Sequence, residues 1–232
     1  MKVITNTPLV EQRAKWARRV APLTMLFLIG GLITNFLSFN QPEYFRWTLL
    51  LLGLGFFSAI VSSSLVNNWV REPRADQILS QLLKKFGNDY ILFNYTSPVP
   101  HVLIAPSGLY VIVVKAHDGQ ITVNGHRVSR KFSWKRLFRF FADEGLGVPI
   151  TEAENRANQL QKFLNKNLID EEMPEIKKVV LFSHKDVDLS VNNSDIPVMP
   201  TKEFKSYFRQ QGKERIISAE QRKKLTDVLG GE

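Results

Sequence analysis

Two uninterrupted apolar runs dominate the first third of the chain: Val20–Phe39 and Trp47–Val70, neither holding a Lys, Arg, Asp, Glu or His. A helix needs roughly 20 mostly apolar residues to cross a bilayer core of about 30 Å, and both runs reach that length. Lipid offers the backbone no hydrogen bonds, so a helix is the conformation expected of each. The connector, Asn40–Arg46, is too short for a domain, so the pattern predicts a transmembrane hairpin over residues 20–70. A cleaved signal peptide is the competing reading of the first run. The length of that run, the lack of a small-x-small cleavage site and the immediate second span disfavour it. Pro22 is placed in the first turn of the first helix, where no intrahelical bond is lost. In the second span Gly55, Ala59 and Ser63 recur every four residues, a spacing that lets helix backbones approach closely. They read as membrane-helix packing positions, within the hairpin or against another protein.

Beyond Val70 the pattern becomes mixed and charged. Ala75, Ile78, Leu79, Leu82 and Phe86 share one face of a helix expected over Pro73–Phe86, stopped by Gly87-Asn88-Asp89. Strands are expected at Tyr90–Tyr95, Val99–Ala105 and Leu109–Lys115, the last apolar on both faces and therefore central. Ile121–Val123 and His126–Lys131 form a hairpin about Asn124-Gly125, read as a type I′ turn. Thr151-x-x-Glu154 reads as a capping box opening a helix to about Leu168. Strands at Ile176–Ser183 and Ile196–Met199 follow, and two helices close the chain, the last begun by Ser218-x-x-Gln221. The fold class is α/β: an N-terminal two-helix transmembrane hairpin, then a mixed sheet flanked by helices. The expected division is a basic N-terminal arm (1–19), the hairpin (20–70) and one soluble domain (71–232). The arm is either an interfacial helix or a solvated lead-in.

Charge then fixes orientation. Arg13, Lys15, Arg18 and Arg19 precede the first span and Arg71, Arg74, Lys84 and Lys85 follow the second, while the connector has Arg46 offset by Glu43. Basic flanks stay on the cytoplasmic side, so both termini and the soluble domain are expected in the cytoplasm, anchored to the inner or plasma membrane. Tyr44, Phe45 and Trp47 at one boundary and Trp16 and Trp69 at the other agree. No ionisable residue lies inside either span, which argues against a pump or proton relay. The formal charge of +9 suits anionic lipid, nucleic acid or an acidic protein face. The chain has no Cys, which excludes disulfides and thiolate metal sites.

Four local sequences carry a resemblance. They are the helix Ala75-Asp76-Gln77-Ile78-Leu79-x-x-Leu82; the hairpin from Pro100-His101-Val102 through Pro106-Ser107-Gly108 to Val113-Val114-Lys115, with Gly119 following; the helix after Pro149-Ile150-Thr151-Glu152-Ala153; and the strand Val179-Val180-Leu181-Phe182-Ser183. In this order they resemble the nuclease-related domain family, whose core is similar to restriction-endonuclease-like enzymes, over most of Arg71–Phe208. The resemblance implies a divalent metal held by an acid before the hairpin and another two residues before the lysine, with the lysine positioning the attacking water. Those acidic positions are Pro100 and Val113 here. Lys115, His101 and Asp76, the last matching the family's helix glutamate, are the vestigial set. Mg²⁺ wants hard oxygen ligands that a lone ammonium cannot supply. No metal or other cofactor is therefore expected, unless Asp118, Glu152 or Glu154 act as migrated ligands.

One further segment stands out. Trp134, Leu137, Phe138 and Phe141 recur at helical spacing among Arg130, Lys131, Lys135, Arg136 and Arg139. Three readings compete: a basic face on anionic lipid, a phosphate grip with rings for stacking, or a cover for the domain's own sheet. The expected partners are the lipid bilayer and other subunits of a membrane complex, with nucleic acid as the weaker option. The expected function is a catalytically inactive binding or scaffold module. Tethered nucleic-acid binding and residual metal-dependent cleavage are the alternatives.

Overall fold

The computed structural model describes residues 1–132, 145–168 and 174–230. They form two compact units, residues 7–74 with 132 and 145, and residues 1–6 with 75–131, 146–168 and 174–230.

The first unit is a helical hairpin of α1 (Thr7–Ser38) and α2 (Tyr44–Trp69) joined by five residues, Phe39–Glu43. Both helices are long and apolar enough to cross a membrane, and only 11% of the most apolar stretch of each is buried. A core helix of a soluble protein would be mostly buried, and these two are not. The seam repeats every seven residues: Val10, Ala17, Thr24 and Gly31 are the buried positions of α1, and Thr48, Gly55 and Ser62 those of α2. A seven-residue repeat keeps one stripe facing the partner helix. The two glycines make the close approach reciprocal. A Cβ on Gly31 would sit 2.6 Å from Leu52 Cδ2, and one on Gly55 would sit 2.6 Å from Leu28 Cδ2. Thr48 Oγ1 donates to Thr34 Oγ1 across the seam at 3.1 Å. The packing stripe therefore runs through Gly55 along every seventh residue, with Ala59 and Ser63 half-buried beside it.

The basic lead-in is helical and continuous with the first span from Thr7 onward, the helical one of its two readings. Pro22 consequently lies in the helix interior, not its first turn. There it removes a backbone bond.

The second unit is built on a six-stranded sheet, order β1-β2-β3-β4-β7-β9, from β1 (Lys2–Thr5), β2 (Ile91–Asn94), β3 (His101–Ala105), β4 (Gly108–Lys115), β7 (Ile176–Phe182) and β9 (Val198–Pro200). β2, β3 and β4 run antiparallel, whereas β4–β7, β7–β9 and β1–β2 are parallel. A smaller sheet, β6-β5-β8, joins β5 (Gly119–Asn124), β6 (Arg127–Arg130) and β8 (Val187–Asn192). Alternation on the strands sends Leu92, Leu103, Tyr110 and Ile112 to one face, against Leu79 and Leu83 of α3 (Ala75–Leu83) and Phe204 and Phe208 of α5 (Thr201–Gln211). Phe93, Val102, Ile104 and Val111 face the other way. They meet Leu160 and Leu164 of α4 (Pro149–Asn167) and Leu225 and Leu229 of α6 (Ala219–Gly230). This is the mixed sheet flanked by helices that the hydrophobic pattern predicted.

Local differences have local causes. α4 opens at Pro149, with Val148 as an N-cap that makes no side-chain bond, so Thr151 lies inside the helix and no capping box forms there. The Ser218–Gln221 box does form, with both reciprocal bonds at 3.1 Å. In the β5–β6 hairpin Asn124 closes the last pair with Arg127, and Gly125–His126 make the loop. Gly125 carries the positive φ of +56°. Glycine at the first loop position suits a type II′ turn rather than I′. β1 and β8 have no counterpart among the expected elements.

Candidate functional site

Of the nuclease-like positions, Val113 and Lys115 lie where the end of β4 meets the start of α4. Val113 and Lys115 alternate onto the α4 side of β4, and α4 begins beside them because Pro149 presets the helical φ and Ile150 and Ala153 are buried there. Lys115 Nζ lies 2.7 Å from Glu152 Oε2. The other oxygen of Glu152 is taken by Arg156, one helical turn on. One carboxylate thus bridges two cations. Glu152 is partly buried, with 29% of its side chain accessible, and Lys115 has 17% accessible. A shielded pair of this kind holds its geometry better than a fully exposed one.

The positions where the family's acids would stand carry no oxygen donor. Val113 is fully buried, packed with Ile150, Ala153 and Val180 in an apolar cluster. Pro100 precedes β3 and offers only its backbone carbonyl, which accepts a bond from Tyr95 N at 2.8 Å. Asp118 is turned away into a pair with Arg130, which also bonds the Asp118 carbonyl through Nε at 2.9 Å. Glu154 faces His126 at 3.7 Å. Asp76 is buried on α3, the helix packed on the opposite face of the sheet from α4. Among the described residues no three His, Cys, Asp or Glu side chains gather as a metal site would require.

His101 is buried at the start of β3, edge-on to Tyr95 with ring centroids 5.1 Å apart. Its Nδ1 lies 2.9 Å from Asn94 Oδ1 and donates there as the neutral tautomer, while Asn94 Nδ2 donates to Thr5 Oγ1 at 3.1 Å. Burial, with the Arg156 charge adding to it, pushes the imidazole down to about 3. A group so hard to protonate is a fixed hydrogen-bonding element at neutral pH rather than an acid–base catalyst.

Of the sequence-selected residues, Lys115 and Glu152 are brought together. His101 is joined to them only through the field of Arg156. Arg130 is largely enclosed by its pair with Asp118, and Lys131 is exposed. Trp134, Lys135, Arg136, Phe138 and Arg139 lie outside the described residues. Sequence reasoning missed Arg156 and Asn94. Arg156 had a signal, since Glu152 and Arg156 are spaced i, i+4 on one helix. Asn94 had none: it bonds His101 across the β2–β3 hairpin but also Thr5, 89 residues away.

Compared with known families, residues 68–183 match the model of the nuclease-related domain (NERD), half of the chain. The comparisons with curated proteins and with solved structures returned no match.

Proposed function

From the premise that this chain belongs to the nuclease-related domain family, we propose that its domain binds rather than cuts. It would serve as a scaffold or accessory module held at a membrane by the α1–α2 hairpin. The observation that carries this reading is the charge pattern around Lys115. A metal-dependent phosphodiester cleavage needs hard oxygen donors that leave open positions for water and phosphate. Here one donor position is a valine sealed in an apolar cluster, another is a proline, and the remaining carboxylate already serves two cations. That donor set does not fit a divalent ion, and no reaction step is derived through one. What remains, on the central strands β3 and β4, is a neutral buried histidine and a closed ion triad, an arrangement suited to recognition.

Membrane attachment is supported by the length, apolarity and exposure of the two helices. Sidedness is supported by two independent features. Basic residues flank the hairpin at both ends, and the strands on either side of it, β1 and β2, pair in one sheet. Both flanks then occupy one compartment, the cytoplasmic one by the charge rule.

The test uses the full chain in lipid nanodiscs incubated with duplex DNA and Mg²⁺ or Mn²⁺, alongside Lys115→Ala. Equal, background cleavage by both is the expected result. Metal-dependent cutting that Lys115→Ala abolishes would overturn the reading. Chemical cross-linking in native membranes addresses the accessory role: stable partners are expected, and a clean monomer counts against it.

A further inference from the structure

The hairpin carries a groove at its basic end that the scaffold reading does not use. It encloses about 320 Å³ and is lined by Leu9, Gln12, Arg13, Trp16 and Val20 of α1 and Leu65 of α2. The five α1 residues fall at i, i+3, i+4, i+7 and i+11, one continuous face beside the seam. Beyond Leu9, which closes the N-terminal end, their chemistry changes along the axis. Gln12 and Arg13 supply the polar end, Trp16 the middle, and Val20, the first residue of the apolar run, the far end with Leu65. From Arg13 to Val20 the helix rises roughly 10 Å, about the depth over which a bilayer passes from headgroup to acyl chain. The Arg13 guanidinium stands 6.0 Å from the centroid of the Trp69 ring. It has no carboxylate partner among the described residues, and no acidic residue lines the groove. The volume lies at the small end for ligand pockets, roughly 300–1,000 Å³. It suits a headgroup with its glycerol and the first carbons of a chain, not a whole lipid.

We propose that this groove is a specific site for one anionic glycerophospholipid, its phosphate on Arg13 with Gln12 beside it, and its glycerol esters and the upper part of one acyl chain along Trp16, Val20 and Leu65. The assignment rests on the membrane reading of the hairpin. Charge complementarity selects the occupant, because a cation at headgroup depth above an apolar slot matches a molecule with an anion at one end and hydrocarbon at the other. An arginine oriented by a neighbouring ring presents paired N–H donors to phosphate, which a diffuse basic surface does not.

The full chain, purified in mild detergent, is titrated with dioleoyl phosphatidylglycerol or dioleoyl phosphatidylcholine and read by native mass spectrometry. One saturable phosphatidylglycerol per chain is expected, with about tenfold lower affinity for phosphatidylcholine. Arg13→Gln should lose about tenfold, the effect of one charge-assisted hydrogen bond. Arg18→Gln removes the same charge half a helical turn away from the groove and should change affinity less than twofold. Equal losses from the two variants would mean diffuse attraction and overturn the site, as would equal binding of the two lipids or no saturation. Alkaline carbonate extraction separates the two levels: release of the chain from membranes would remove the membrane reading, whereas retention without saturable binding would remove the groove alone.

Discussion

Acid should loosen the soluble domain through His101. An unfolded histidine titrates near 6.5, while burial and Arg156 bring His101 in the folded chain down to about 3. Between those values the unfolded state binds one more proton than the native state, so stability is complete above pH 6.5 and falls as pH drops toward 3. Well inside that window each pH unit costs about 1.4 kcal/mol, so acidifying from 6.5 to 4.5 removes about 2 kcal/mol on this group alone. That is a large share of the roughly 5–15 kcal/mol that holds a domain together. The full chain in detergent, unfolded by urea across this range beside His101→Gln, isolates the effect, because carboxylate titrations are common to both. The difference between the two stability curves should have a slope of about one proton. Ring NMR adds a direct reading, with His101 silent between pH 5 and 8. Parallel stability curves, or an imidazole that titrates near 6, would refute the burial argument.

Three further outcomes follow from the same contacts. Glu152→Gln removes the anion shared by Lys115 and Arg156 and should cost about 1–2 kcal/mol, seen as a lower unfolding midpoint, with faster acylation of Lys115 by amine reagents; unchanged Lys115 reactivity would contradict the ion triad. Gly31→Leu places side-chain atoms where Leu52 already stands 2.6 Å from a Cβ and should part the hairpin seam, whereas Gly53→Leu, with nothing within 4 Å, should not; thermal melting in detergent compares them. Because the chain has no native Cys, single cysteines map sidedness: Gln41→Cys in the α1–α2 connector should react with an impermeant maleimide from the outside, and Lys185→Cys in the soluble domain only after the membrane is opened.

The central elements were legible because their signals are local. Leu109–Val114 is apolar on both faces and so announces a buried strand, and the Ser218–Gln221 box marks a helix start within four residues. What escaped was held by partners far away in the chain. Lys2–Thr5 is a strand only because β2 lies beside it. Val187–Asn192 has just its first residue buried and is defined by pairing with β5. Pro22 lies inside the helix because apolarity marks where the charged residues stop, not where a helix begins: the charged turns before Val20 are helical all the same. At the site, losses could be read directly, since proline and valine cannot donate oxygen. Compensation could not, since it depends on which side chains converge: Thr5, Asn94 and His101 come from three strands.

The pairing of Lys2 with Ile91 sets an order for biogenesis. A ribosome adding roughly 5–20 residues per second releases β1 on the order of ten seconds before β2 exists to receive it. In that interval both hairpin helices emerge and can enter the bilayer, while the first strand waits as an open edge. The β1–β2 pairing requires both ends of the hairpin on one side, so a chain whose hairpin inserted with its two ends on opposite sides could not form it. Without that partner β2 would keep an open edge, the backbone donors and acceptors of Ile91–Asn94 unpaired on that side.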